Sequence, residues 1–133
     1  MYLVHDVGTT SLKTTLFDER GNEVLKLEEP YRTHYSQDGW AEQEPLDWWN
    51  AIVTTTRKAF RKGTPTILVF SSQRESFVLT DKNGVPLGRA IIWMDRRATA
   101  QVQEMGKRFG SDYLRLTTGW SPTQPSLPRS CCG

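Results

Sequence analysis

Four clusters in the chain carry side chains whose chemistry suits a ligand. The first is Asp6-Val7-Gly8-Thr9-Thr10-Ser11. Its glycine lets the backbone approach a bound group, and successive main-chain N–H groups with three hydroxyls can surround phosphate oxygens. Asp6 can hold a magnesium ion through water, and Lys13 lies just beyond the loop. These letters suit the end of a nucleotide's phosphate chain, but an ordinary polar hairpin tip would carry them too. Neither the Walker spacing GxxxxGK nor the dinucleotide pattern GxGxxG is present.

The second cluster, Gln73-Arg74-Glu75-Ser76, follows an apolar run. Adjacent donors and acceptors there match the vicinal hydroxyls of a sugar or polyol, and a solvated loop ion pair is the alternative. The third is Trp93-Met94-Asp95-Arg96-Arg97. An indole face packs against the C–H face of a polyol and Asp95 can accept hydroxyl protons, although Asp95 could equally cap the helix that follows and Trp93 could be core. The fourth, Gly39-Trp40-Ala41-Glu42-Gln43-Glu44-Pro45, offers Trp40 as a pocket wall or as a lid over a helix entrance. Glu42 and Glu75 could also serve as the paired carboxylates of a glycoside hydrolase. That reading ranks last, because it needs a defined separation between the two.

These clusters must be held by a scaffold. Residues 2–7 and 12–17 read as strands joined by a turn, and the polar stretch 18–22 leads to a third strand from Glu23. Three antiparallel strands are therefore expected first, followed by a long connection through residues 29–39. A helix is predicted over residues 45–62, with Trp49, Ile52, Val53, Thr56 and Phe60 on its apolar face, Pro45 opening it and Gly63 ending it. The uninterrupted apolar run at residues 66–70 predicts a strand buried on both faces at the centre of a sheet. A hairpin around Asp81-Lys82-Asn83-Gly84 is predicted next, with arms at residues 77–80 and 85–87, then a strand at residues 90–93. A helix with its stripe at Ala98, Val102, Met105 and Phe109 stops at Gly110, and a shorter one runs to Leu116. Residues 121–133, with Pro122, Pro125 and Pro128, are expected to form an unpacked tail.

Composition limits the rest. With 133 residues, 17 Lys and Arg against 15 Asp and Glu, and a net charge of +2, one near-neutral domain is expected. Its cations are interleaved with acids, which argues against nucleic acid as a partner. The longest apolar run, residues 90–94, is far short of the roughly 20 residues that cross a membrane, so no membrane partner is expected. No basic, apolar leader opens the chain, and a cytoplasmic location is expected. Cys131 and Cys132 are neighbours, and His5 and His34 lack ligand spacing, so no structural zinc is expected.

Taken in order, Asp6-Val7-Gly8-Thr9-Thr10-Ser11 with Lys13, Gly39 to Pro45 with Trp48-Trp49, Gln73-Arg74-Glu75-Ser76, and Ile92-Trp93-Met94-Asp95-Arg96-Arg97 resemble the N-terminal part of the FGGY carbohydrate kinases. The resemblance runs from about residue 2 to residue 128, and four motifs in one order are far more specific than any one alone. It implies an α/β fold, an incomplete actin-like, ribonuclease-H-like ATPase lobe with a mixed sheet flanked by helices, over residues 1–120. It also implies ATP and Mg2+ as cofactors and a sugar or polyol as partner. Asp6 resembles the magnesium-associated carboxylate, Gly8, Thr9, Thr10 and Ser11 the phosphate loop, and Lys13 the cation that steadies transferred charge. Gln73, Arg74, Glu75, Trp93 and Asp95 fall on the substrate side, with Arg74 and Glu75 as hydroxyl ligands in the glycerol-kinase style and Trp93 as the aromatic wall. Xylulokinases usually carry Met-His in place of Arg74-Glu75, while Met94-Asp95 departs from the glycerol-kinase pattern.

In this family the carboxylate that takes the alcohol's proton, a second phosphate loop and the adenine pocket lie further along than residue 128. The chain is therefore expected to be a truncated or frame-shifted kinase, inactive alone. A non-catalytic sugar-binding or partner-binding module is the alternative, and a sheet edge or apolar face laid bare would favour a homo-oligomer.

Overall fold

The structure is a computed structural model and describes residues 1–119; the expected tail at 121–133 lies outside the described residues. β1 (Tyr2–Val7) turns back into β2 (Ser11–Phe17), and β3 (Glu23–Pro30) follows antiparallel to β2. The turn between β2 and β3 is built by Asp18, whose Oδ1 accepts the N–H groups of Arg20 and Asn22, with Gly21 at φ +82°. The same device recurs at Asp81, which accepts from Asn83 and Val85 beside Gly84 at φ +81°. Both turns were legible because an Asx side chain bonding two and four residues ahead is a local interaction.

Side chains alternate across the β1–β2 ladder. Leu3, His5, Leu12, Thr14 and Leu16 are buried on one face, and α1 (Pro45–Phe60) packs there. The helix meets the sheet through Ala51, Thr55 and Ala59, four residues apart, and Ala59 joins Leu3 and Leu16 in the core with Met1 and Leu25 against them. This corrects the expected face, since Trp49 and Phe60 are 61% and 53% exposed. Small residues let the helix axis approach the strands, which leaves large neighbours at the flanks rather than beneath it.

A polar thread crosses this interface. Thr55 Oγ1 donates to the Ala51 carbonyl at 2.9 Å and Thr14 Oγ1 donates to Thr55 Oγ1 at 2.9 Å. Thr14 must then accept from His5 Nδ1 at 2.8 Å, while Nε2 accepts from Thr56 Oγ1 at 3.1 Å. This donor order fixes a neutral imidazole protonated on Nδ1, and burial lowers its pKa.

β6 (Ile67–Ser72) pairs parallel with β1, giving the strand order β3-β2-β1-β6. The expectation of a central strand buried on both faces is overturned. β6 lies at the sheet edge, with Ile67, Leu68, Val69 and Phe70 each about half exposed, between 45% and 54%. The main contacts of α1 are with β1, β2 and β3, and the Phe70 ring of β6 stacks on His5 with centroids 5.3 Å apart.

A second, three-stranded sheet, β4 (Thr33–Tyr35), β5 (Ala41–Gln43) and β7 (Ala90–Ile91), replaces the expected long connection. Strands of two or three residues show no periodicity to detect. The strand expected at residues 90–93 is only Ala90–Ile91, and the expected hairpin arms make just the bridges Phe77↔Ile91 and Thr80↔Pro86. α2 (Thr99–Phe109) and α3 (Ser111–Thr118) follow, separated at Gly110 with φ +81°. Among the described residues no helix is long and apolar enough to cross a membrane.

Candidate active site

The loop after β1 is held from behind by its carbonyl groups. Tyr31 donates its hydroxyl to the Gly8 carbonyl and its N–H to the Thr10 carbonyl at 3.2 Å, while Gln43 Nε2 donates to the Thr9 carbonyl at 2.6 Å. A trans peptide sets each N–H opposite the preceding carbonyl, so these bonds turn the Thr9 and Thr10 N–H groups away from Tyr31 and Gln43. Neither N–H has an acceptor among the described residues. The Gly8 N–H, by contrast, closes the turn onto the Ser11 carbonyl at 3.1 Å. A Cβ at Gly8 would lie 3.1 Å from that same oxygen, so the turn has room for glycine and little more.

Burial, and secondarily the charge of Asp6, pushes the Tyr31 phenol up to about 12. Because the folded value is raised, the stability Tyr31 contributes is present below pH about 10 and is lost as pH rises toward 12. Tyr31→Phe should cost about 1 kcal/mol in urea unfolding at pH 7 and weaken that alkaline dependence.

Parallel pairing sets Val7 beside Ser72, and Gln73 N donates to the Val7 carbonyl at 2.9 Å, so the loops after β1 and β6 leave the same end of the sheet. Between them lies a cavity of about 490 Å³ lined by Thr9, Ser72, Gln73, Arg74, Glu75 and Trp93. Trp93 borders it, donating Nε1–H to Thr9 Oγ1 at 3.0 Å, and its own N–H donates to Ser76 Oγ at 3.2 Å. Glu75 adopts φ 55°, a left-handed conformation that costs a non-glycine residue about 1 kcal/mol or more and that tends to persist where a loop must present a side chain.

Five residues singled out from the sequence, Thr9, Gln73, Arg74, Glu75 and Trp93, thus share one cavity. Gly8 and Thr10 complete the loop beside it. Asp6 and Lys13 are cross-strand neighbours on the sheet face opposite α1. Two residues stand apart. Ser11 is buried and gives its hydroxyl to Glu28 at 2.5 Å. Asp95 does not line the cavity: it accepts from Ala41 N–H at 2.8 Å and from Arg97 Nε and Nη2 at 2.9 and 2.7 Å. Nor does it cap α2, whose N-cap is Ala98. Arg97 continues to Glu42 at 2.7 Å and lies over the Trp40 ring at 4.2 Å. Glu42 is therefore spent in an ion cluster and does not face Glu75 across the cavity, which removes the geometry a paired-carboxylate hydrolase needs. Sequence reasoning missed Ser72 and Tyr31, and it quoted Gln43 within the Gly39 to Pro45 motif without giving it a role. Tyr31 and Gln43 act through backbone carbonyls, which no residue pattern announces.

Residues 1–128 match the model of the FGGY family of carbohydrate kinases, N-terminal domain. The chain belongs to the FGGY carbohydrate kinases. Its relatives include the glycerol kinase of Paracidovorax citrulli, 36% identical over 123 residues, which cover 88% of this chain and 24% of that protein. Among solved structures, a gluconate kinase from Lactobacillus acidophilus superposes with TM-score 0.81 and 26% identity over 90% of this chain and 25% of its own. A ligand-bound xylulose kinase from the same organism gives TM-score 0.80 at the same identity and coverage. The FGGY chain described here spans about a quarter of the length of each. Its mixed sheet with flanking helices is part of the actin-like ATPase fold of these kinases. Among the described residues no group of three or more His, Cys, Asp or Glu is placed to hold a metal ion.

Proposed function

We propose that this chain supplies the alcohol-binding half and one phosphate loop of a kinase that passes the γ-phosphoryl group of ATP to a hydroxyl of a sugar or polyol. The observation that carries the reading is the single cavity in which Thr9 of the phosphate loop meets Arg74, Glu75 and Trp93. The Thr9 and Thr10 N–H groups hold phosphate oxygens, Arg74 donates to and Glu75 accepts from neighbouring hydroxyls, and the Trp93 ring packs on the carbon skeleton. Phosphoryl transfer asks a protein mainly for positioning and charge neutralisation, and Lys13 adds a cation beside the loop. A lone carboxylate beside a phosphate loop fits magnesium, which takes one or two protein carboxylates and completes its shell with phosphates and water. Asp6 would hold it, and when bound it neutralises charge on the phosphate oxygens.

The test titrates the chain with glycerol, xylitol and D-gluconate, with and without magnesium-ATP, following amide resonances. Binding at the Gln73 loop is expected, weakened about tenfold or more by Arg74→Ala and by Glu75→Ala. Absence of binding, or indifference to both substitutions, overturns the reading. The chain alone is expected to bind without phosphorylating, so robust product formation would contradict the half-site assignment. Tight alcohol binding that ignores nucleotide would favour a sugar-binding module instead.

A further inference from the structure

Gln43 is fully buried, and every capacity of its carboxamide is committed. Nε2 donates to the Thr9 carbonyl at 2.6 Å and to Thr33 Oγ1 at 2.7 Å. Oε1 accepts from Trp48 Nε1 at 3.0 Å and from Gln73 Nε2 at 3.1 Å. A carbonyl can only accept and an indole N–H can only donate, so Thr9 and Trp48 allow this amide one orientation. Gln73 must then present its NH2 group to Gln43. Its Oε1 is left buried with no donor, on a residue that lines the cavity. A buried acceptor without a partner is rare enough to need a reason.

The direction of these bonds supplies one. The Thr9 carbonyl and the Thr10 N–H belong to the same peptide group, and that N–H has no acceptor among the described residues. From Gln73 through Gln43 to the Thr9–Thr10 peptide, every hydrogen bond points the same way. The chain ends in an open acceptor, Gln73 Oε1, on the alcohol side and an open donor, Thr10 N–H, on the phosphate side. Amides linked head to tail polarise one another, so filling one end strengthens the other.

We propose that Gln43 is a positioning residue that couples the two halves of the site: a hydroxyl donating to Gln73 and a phosphate oxygen accepting from Thr10 tighten each other's binding through its carboxamide. This rests on the kinase reading above and adds to it a route between donor and acceptor. The exposed Trp93–Thr9 hydrogen bond is a second link between the loops, but it bypasses both open ends.

The experiment has two arms. In the first, the affinity of the native chain for glycerol, xylitol or D-gluconate is measured with and without magnesium pyrophosphate as the phosphate probe. A coupling of about fivefold or more is expected, equal in both directions, and it should fall to about one in Gln43→Met and in Gln73→Leu. The second arm needs no ligand: Gln73→Leu should shift the Thr10 amide resonance in the native sequence and leave it unmoved in the Gln43→Met background. Gln73→Leu sits at the outer end of the relay, so it stays informative if Gln43→Met folds poorly. Both ligands binding without coupling, or a Thr10 resonance indifferent to Gln73→Leu, overturns the relay while leaving the kinase reading intact. A native chain that transmits the resonance shift but binds neither ligand defeats the kinase reading and, with it, the coupling of the two ligands.

Discussion

Replacing His5 with alanine is expected to cost about 3 kcal/mol of folding stability, read as a lower urea midpoint with an unchanged slope. The ring fills the space between β1 and α1, stacks on Phe70, donates to Thr14 and accepts from Thr56. Its removal leaves a cavity, takes from Thr56 its hydrogen-bond acceptor and leaves Thr14 with Thr55 alone. The same residue sets a pH dependence. Burial lowers the His5 pKa, so the unfolded chain binds the proton more readily than the folded one. Its contribution is fully present above pH about 6.5 and declines as pH falls below that. Urea midpoints measured between pH 8 and pH 5 should therefore fall on the acid side. His5→Gln should start lower and lose that slope.

Asp95→Ala is the second large effect, about 2–3 kcal/mol. Breaking a buried ion pair costs more, but Arg97 is 28% exposed and keeps Glu42, while Asp95 itself is 5% exposed. Burial alone would push the Asp95 carboxyl up, yet hydrogen bonds from Arg97 and the Ala41 N–H outweigh it and hold the carboxyl below the usual carboxylate value. This contribution is present above pH about 4 and is lost as pH falls through the lowered value, a window separate from that of His5. Asp95→Asn keeps an acceptor for Ala41 and should cost about half as much. Because Asp95 is absent from the cavity wall, both variants should change alcohol affinity far less than Arg74→Ala. Equal losses would place Asp95 in the binding machinery after all.

What could be foreseen from the amino acids follows from the range of the interactions involved. The β1–β2 hairpin and the turns at Asp18 and Asp81 are local, and their letters announce them. The span of α1 was legible from Pro45 and its periodicity, but its buried face was not. Periodicity rewards large apolar residues, whereas the contact selected Ala51, Thr55 and Ala59. An unbroken apolar run marks β6 as a strand without saying whether anything covers it. The two loops that line the cavity were singled out differently, Asp6 to Ser11 for its glycine and hydroxyls and Gln73 to Ser76 for following an apolar strand, since open α/β sheets bind at the carboxyl ends of strands. The roles of Gln43 and Tyr31 escaped because their partners are main-chain carbonyls distant in sequence.

The parallel pairing of β1 with β6 also fixes how finely the span between the two loops can be tuned. A slip of one residue would turn every β6 side chain to the other face, and a slip of two would carry the second loop about 6.6 Å from the first. The ladder thus moves only in coarse increments, longer than a carbon–carbon bond several times over. On the proposed function, fitting a longer or shorter alcohol to this scaffold falls to the residues beyond the strand ends, where Arg74, Glu75 and Trp93 can be exchanged while the gap they bridge stays constant.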